Sequence, residues 1–139
     1  MRMLHLGLRV CDLDASLKFY TAIGYKVLGA VPETEFGSLT MLKLPDDEFV
    51  SLELVHDPSS DFDTSAVNHL VIHVEDMHAA IAQFAANGVE ADPPASPDES
   101  DDFLTSWITD PDGYHIELVQ WPASHPAAGL TEEDMAADA

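Results

Sequence analysis

Basic residues are scarce in this sequence. Five lysines and arginines stand against 26 aspartates and glutamates, a formal net charge of −21. A surface this acidic repels polyanions, which argues against nucleic acid and anionic membranes as partners, and it suits cationic ligands, metal ions or life at high salt alike. Cysteine is scarcer still. Cys11 is the only one, so no disulfide can form within the chain and secretion gains no support. Because it follows a strand-like run, Cys11 reads as a small buried thiol of the core. No apolar run approaches membrane-spanning length, and the stretch from Met1 to Val10 is too short and too polar for a signal peptide. The expectation is a cytoplasmic protein with no membrane partner.

What the sequence does have is enough apolar material for one core, 46% hydrophobic residues in a chain of 139, and an internal repeat. A shift of 64 residues aligns two halves without a gap. His5-Leu6 falls on His69-Leu70, Val10 on Val74, Asp12 on Asp76, Ala15 on Ala79 and Ala22 on Ala86. Further along, Gly24 falls on Gly88, Asp46 on Asp110, Glu53-Leu54-Val55 on Glu117-Leu118-Val119, and Pro58 on Pro122. So many matches in one register indicate duplication of a unit of about sixty residues. Two copies are too few for a solenoid, so the halves are expected to pair about a pseudo-twofold axis.

Each copy has readable periodicity. Residues 3–10 alternate, with Leu4, Leu6, Leu8 and Val10 on one side and His5, Gly7 and Arg9 on the other, as in a half-buried strand. Asp12 is placed to cap a helix whose inner face is Leu13, Leu17, Tyr20 and Ile23, ending at Gly24. Strand-like runs follow near 25–32, 37–44 and 48–56. The second copy repeats the plan, with a strand at 67–74 and Asp76 capping a helix over 77–87 that turns Met77, Ile81 and Phe84 inward. Strands are then expected near 89–92, 102–109 and 113–120, the last pair joined by Asp110-Pro111-Asp112-Gly113. The order βαβββ-βαβββ gives an α+β fold of tandem modules, forming a curved mixed-sheet cleft with helices on the outer face. One domain is expected over 1–122, with modules of about 1–60 and 65–122. The acidic stretch 92–102 reads as a loop at the rim. The tail 123–139 carries little hydrophobic content and at most a short acidic helix, leaving disorder or packing on a partner both open.

The same alternation sorts the faces. Leu52 and Leu54 point to the helices, so Ser51, Glu53 and Val55 share the other side; Ile116 and Leu118 do likewise, leaving His115, Glu117 and Val119. Each half therefore offers one histidine from its first strand and one glutamate from its last, separated by 48 residues in both copies. A single such spacing would be weak, since a strand histidine is usually structural and Glu53 could simply pair with Arg9. Its repetition in register is much stronger. Two carboxylates converging in a partly dry cleft would repel unless a cation lay between them. His5, Glu53, His69 and Glu117 thus read as ligands of one divalent ion, with Zn, Ni, Co, Mn or Fe all suited to that donor set. His73 and His115 have Arg9 and Ser51 as their repeat partners, so no doubled role follows; they are expected to line the cleft or support the ligands.

These residues resemble the vicinal oxygen chelate superfamily, and within it glyoxalase I. The resemblance rests on the stretch from His5 to Tyr20, on Leu52-Glu53-Leu54, on His69 to Val74 and on Asp110 to Val119, and it covers about residues 1–121. It implies a metal-dependent isomerase or lyase acting on the hemithioacetal of a 2-oxoaldehyde, such as methylglyoxal, and a thiol. A carboxylate would move a proton from C1 to C2 through an enediolate, with Glu117 as base and Glu53 as its counterpart. It also implies a homodimer whose metal site draws on both halves, often from different subunits. Arg9 matches an arginine that contacts a glutathione carboxylate, but Asp57 stands where an asparagine commonly assists, and Pro97 to Asp102 replaces a lysine-bearing loop with acids. That rim is wrong for an anionic thiol. The alternatives are an epimerase or dioxygenase of the superfamily acting on another vicinal-oxygen substrate, and a non-catalytic binding protein of the bleomycin-resistance type for a cationic ligand.

Overall fold

Both copies of the repeat fold alike in the computed structural model, which describes residues 1–137. The first runs β1 (Leu6–Arg9), α1 (Leu13–Ala22), β2 (Lys26–Thr34), β3 (Gly37–Lys43) and β4 (Leu52–His56). A 3-10 turn over Thr64–Ala66 leads to β5 (Leu70–His73), α2 (Met77–Ala86), β6 (Leu104–Thr109) and β7 (His115–Gln120), followed by a short α3 (Glu132–Ala137). The helix starts are set by Asp12 and Asp76, whose carboxylates accept from the N–H groups of Ala15 and Ala79 at 3.0 Å. Both helices end where the chain turns through Gly24 and Gly88 at φ +112° and +86°, a region that glycine enters without steric cost.

The strands form two mixed sheets, ordered β1-β4-β3-β2 and β5-β7-β6, with helices flanking them. In each sheet the first strand of the module lies parallel to its last, placing Gly7 opposite Glu53 and Val71 opposite Glu117. The closing bond repeats too. Val10 N–H donates to the Val55 carbonyl and Val74 N–H to that of Val119, both at 2.9 Å. Tandem βαβββ modules are therefore the plan, as the repeat led us to expect, with the second strand of the second module reduced to a bridge between Ala95 and Thr105.

Three local expectations are corrected. Residues 89–92 do not form a strand. Val89 N–H bonds back to the Phe84 carbonyl, Asp92 N–H meets that of Trp107, and Ala95 bridges Thr105; Pro93 and Pro94 have no N–H with which to continue a ladder. The first strand begins at Leu6, leaving Leu4 exposed. Cys11 is exposed as well, because the chain leaves the sheet after Val10 and the Cys11 N–H turns to the Asp112 carboxylate at 3.0 Å. The tail carries the short acidic helix allowed for it, Glu132–Ala137, and His125 stacks on Trp121, which stacks on Phe103 of the body.

One core serves both modules, with Leu8, Tyr20, Leu42 and Leu54 of the first fully buried beside Met77, Ile108, Ile116 and Leu118 of the second. Their joint is the β6–β7 turn docked on the start of α1. The Tyr20 hydroxyl donates to Asp110 at 2.7 Å, the Ser16 hydroxyl to Asp112 at 3.4 Å, and the Tyr114 hydroxyl to the Arg9 carbonyl at 2.8 Å. Asp110 also accepts from the N–H groups of Asp112 and Tyr114, both at 2.9 Å. Burial raises the Asp110 carboxyl above its ordinary range, and burial and Asp110 together push the Tyr20 phenol up, so Tyr20 remains a donor. Replacing Tyr20 by Phe leaves a buried acid short of a partner. We predict that Tyr20→Phe lowers stability by about 1–3 kcal/mol in urea unfolding followed by circular dichroism.

The segment after β7 is fastened by rings. The Trp121 indole stacks on Phe103 at 5.5 Å between centroids and on His125 at 4.5 Å, with planes within 20° and 21° of parallel. His125 Nε2 lies 2.8 Å from Asp134. Asp134 also accepts from the Thr131 N–H and hydroxyl at 2.8 Å, while its own N–H donates to the Thr131 hydroxyl at 3.2 Å, a reciprocal cap at the start of α3. Hydrogen bonding to Asp134 raises the His125 imidazole, and hydrogen bonding to His125 and Thr131 lowers Asp134 to about 2. The ion pair therefore contributes fully between the ordinary carboxylate and imidazole values; it is lost as pH falls from there through about 2 and as pH rises through the raised imidazole value. We predict a step in tryptophan fluorescence as pH rises through that upper limit, and its disappearance in His125→Gln.

Candidate functional site

Strand alternation buries Leu52, Leu54, Ile116 and Leu118 and turns Glu53 and Glu117 to the opposite side of their sheets. Each histidine stands just ahead of its module's first strand, two residues before the position that faces the glutamate. That offset lets the imidazole reach across to the neighbouring carboxylate. His5 Nε2 lies 3.2 Å from Glu53 Oε2, and His69 Nε2 lies 3.5 Å from Glu117 Oε2. The glutamates are the more shielded partners, at 16% and 23% side-chain exposure against 37% and 35% for the histidines. Each pair thus sits at the mouth of its face, open to a ligand from above.

The two pairs do not meet within one chain. Among the described residues no three His, Cys, Asp or Glu side chains form a group able to hold a metal ion. The pairs belong to different sheets, and the modules are joined through α1 and the β6–β7 turn, away from these faces.

The remaining candidates divide between the halves. Arg9 follows His5 and Gly7 on β1, its guanidinium 3.5 Å from the Phe36 carbonyl. A side chain at Gly7 would put its Cβ 3.5 Å from Glu53 Oε1, so the glycine leaves space beside that carboxylate. Asp57 is half-buried, and its carboxyl is held below the usual carboxylate range by the Ser59 hydroxyl and N–H first and by Arg9 to a lesser degree. In the second half a cavity of about 410 Å³ opens over the pair, with His69, Glu117 and His73 as its polar lining. His115 is not part of that lining; it faces Thr109 across β6 and β7, with its ring nitrogen 3.3 Å from the Thr109 hydroxyl.

Two contributors escaped the sequence reading. Asn68 Oδ1 lies 2.6 Å from His69 Nδ1, and the Trp107 ring meets His69 edge-on at 5.3 Å. With Oδ1 as the acceptor the ring proton sits on Nδ1, so that Nε2, on the Glu117 side, is the nitrogen left to meet a cation. The repeat hid this, because the residue before His5 is Leu4, which offers no such acceptor. Nitrogen-15 spectra of metal-free protein are predicted to show His69 as the Nδ1–H tautomer, and Asn68→Ala to shift it toward a mixture while Asn68→Asp preserves it.

Comparisons with known proteins identify the family. The model of the Glyoxalase/Bleomycin resistance protein/Dioxygenase superfamily matches residues 2–118. A probable lactoylglutathione lyase of Vibrio cholerae is 34% identical, covering 93% of this chain and 96% of its own. The lactoylglutathione lyase of Haemophilus influenzae is 32% identical over 86% of this chain and 93% of its own. Among solved structures, a glyoxalase family protein from Enterococcus faecalis superposes with a TM-score of 0.70 at 25% identity, over 86% of this chain and 97% of the other. A glyoxalase I mutant from Zea mays gives 0.71 at 27%, over 87% of this chain and 46% of the other. With its duplicated βαβββ modules and paired His–Glu faces, this chain belongs to the Glyoxalase/Bleomycin resistance protein/Dioxygenase superfamily.

Proposed function

We infer that the protein is a metal-dependent, glyoxalase I-like isomerase of hemithioacetals, working as a homodimer. In this reading His5 and Glu53 of one subunit and His69 and Glu117 of the other hold a single divalent ion. The observation that carries it is the identical register of the two His–Glu pairs. Their donor set fits the ion, since two imidazole nitrogens and two carboxylates suit Ni, Zn, Co, Mn or Fe and leave coordination positions open for two substrate oxygens. The fixed Nδ1 of His69 also frees Nε2 as a ligand.

A dimer is supported by the surface of the first module. All of β2 but Thr34 is exposed, with Val27, Leu28 and Val31 at 40%, 48% and 43%, and Phe36 and Phe49 are exposed nearby. An apolar set of this kind marks an interaction face. Pro32 and the register shifts along β2 discourage simple edge-to-edge pairing there, which favours a face-on contact.

When bound, the ion supplies a Lewis acid that draws electron density from the two vicinal oxygens of the substrate. Glu117 is the base in this scheme, removing the C1 proton and returning it at C2, and Glu53 is its counterpart on the other side. The substrate is a hemithioacetal of methylglyoxal or a similar 2-oxoaldehyde. Its thiol is one without glutathione's charge, since Arg9 is accompanied by Asp57 and the Pro97–Asp102 rim is acidic.

Two experiments test this. Glu117→Gln is expected to abolish turnover of methylglyoxal hemithioacetals while circular dichroism stays native; an active variant would remove Glu117 as base. Mixing inactive His5→Ala and His69→Ala proteins after reversible unfolding is expected to restore about a quarter of wild-type activity, because half the dimers then carry one intact site of two. No restoration would refute the shared site. The net charge favours a second reading, capture of a cationic ligand without chemistry. Protein that neither retains nor takes up a stoichiometric ion would support that reading, and oxygen uptake would indicate a dioxygenase instead.

A further inference from the structure

The geometry points to the segment from Trp121 to Asp134 as a cap that walls the His69–Glu117 chamber and selects substrates carrying an uncharged, apolar substituent. The inference rests on the isomerase reading for the chemistry, but the cap is built from features of its own. It lies beyond residues 2–118, the region matched by the family model. The chamber floor is Val71 and Val119 on the strands, and the wall is Trp121 with Ala128 and Leu130.

Three observations make this wall part of a site. First, it is held: the Phe103–Trp121–His125 stack and the His125–Asp134–Thr131 bonds fix both ends of the segment that carries Ala128 to Leu130. Second, Val119 is only 5% exposed although it stands on the open face with Glu117, whereas its repeat partner Val55 is half-buried. Third, Leu130 is 70% exposed while contributing to the chamber. A leucine left in water beside a cavity of about 410 Å³ is stabilised when an apolar group fills that space.

The charge pattern defines the ligand class further. No lysine or arginine lines the chamber, and Glu117 does. Beyond the ion of the isomerase reading, an anionic substituent there would lose its hydration with no side-chain cation to receive it. A phenyl or alkyl group meets no such cost. The first module offers nothing equivalent over His5 and Glu53, since after β4 its chain runs on through Asp57 and Pro58 toward the 3-10 turn. Selection by the substituent is therefore a property of the second half.

The test compares hemithioacetals that differ by one phenyl ring, placed on the aldehyde side (phenylglyoxal against methylglyoxal) or on the thiol side (benzyl mercaptan against 2-mercaptoethanol). For wild type, one of these phenyl adducts is expected to have the higher kcat/KM. Leu130→Asp is expected to lower the phenyl-to-methyl or phenyl-to-hydroxyethyl ratio by about tenfold, and Leu130→Met to restore it. His125→Ala, which unfastens the cap, is expected to raise KM for the preferred phenyl adduct more than it lowers kcat. Ratios that stay constant in Leu130→Asp would overturn the cap. Saturation-transfer NMR on the full metal-free chain, with benzyl alcohol as the probe, reads the chamber without turnover. Transfer to the ring in wild type and its loss in Leu130→Asp supports the cap even if no hemithioacetal is turned over, an outcome that would retire only the isomerase reading. Transfer unchanged by Leu130→Asp would overturn the cap.

Discussion

A parallel strand pair, made twice, is the constraint on which the rest depends. β1 beside β4 and β5 beside β7 set Gly7 against Glu53 and Val71 against Glu117. With the register fixed, a histidine two residues upstream has little choice but to reach the glutamate on the adjacent strand. A slip of one residue would send both acids into the core and their leucine neighbours into solvent, so the hydrophobic pattern that folds each sheet also enforces the His–Glu contact. The same alternation gives the contact in both modules, although β2 of the first has no strand as its counterpart in the second.

The acidity of the chain has a partly structural use. Many of its aspartates are local acceptors for backbone N–H groups. Asp12 and Asp76 start the two main helices, and Asp47, Asp57, Asp63 and Asp98 close short turns through Leu44, Ser59, Ser65 and Ser100. Asp110 and Asp112 go further and join the modules, with Asp112 placed at the positive end of α1. Asp134 fastens the tail. What remains is a surface and a rim with few cations, and the same scarcity leaves the second half's chamber without a lysine or arginine.

Much of this was legible in the residues. The shift of 64 carried the module plan, both helix caps, both turning glycines and the inward set Tyr20, Met77 and Phe84, because these depend on local chemistry that the sequence states directly. The His–Glu pairs were legible for the same reason, as alternation fixes which side of a strand a residue takes. The departures came where a neighbour overrides the local signal. Pro93 and Pro94 stop a ladder that the repeat called for, and Cys11 is drawn out by Asp112, a partner 101 residues away. The tail's packing depends on Trp121 meeting Phe103 and His125, a stack of low-hydropathy surroundings that periodicity does not reveal. Asn68 was hidden because the repeat has leucine at the matching place. Most instructive are the two pairs themselves: each is local to one sheet and they do not meet within one chain, so the ion proposed for both needs a second copy, whose arrangement the sequence of one chain does not give.

The central claim is that two matching His–Glu pairs serve one ion. Crystals grown with a transition metal and measured at its absorption edge test it most directly. The account predicts one anomalous peak per pair of half-sites, within coordination distance of His5 and Glu53 from one subunit and His69 and Glu117 from the other. A peak bound by a single His–Glu pair, or a dimer whose two faces lie apart with no peak between them, would contradict it.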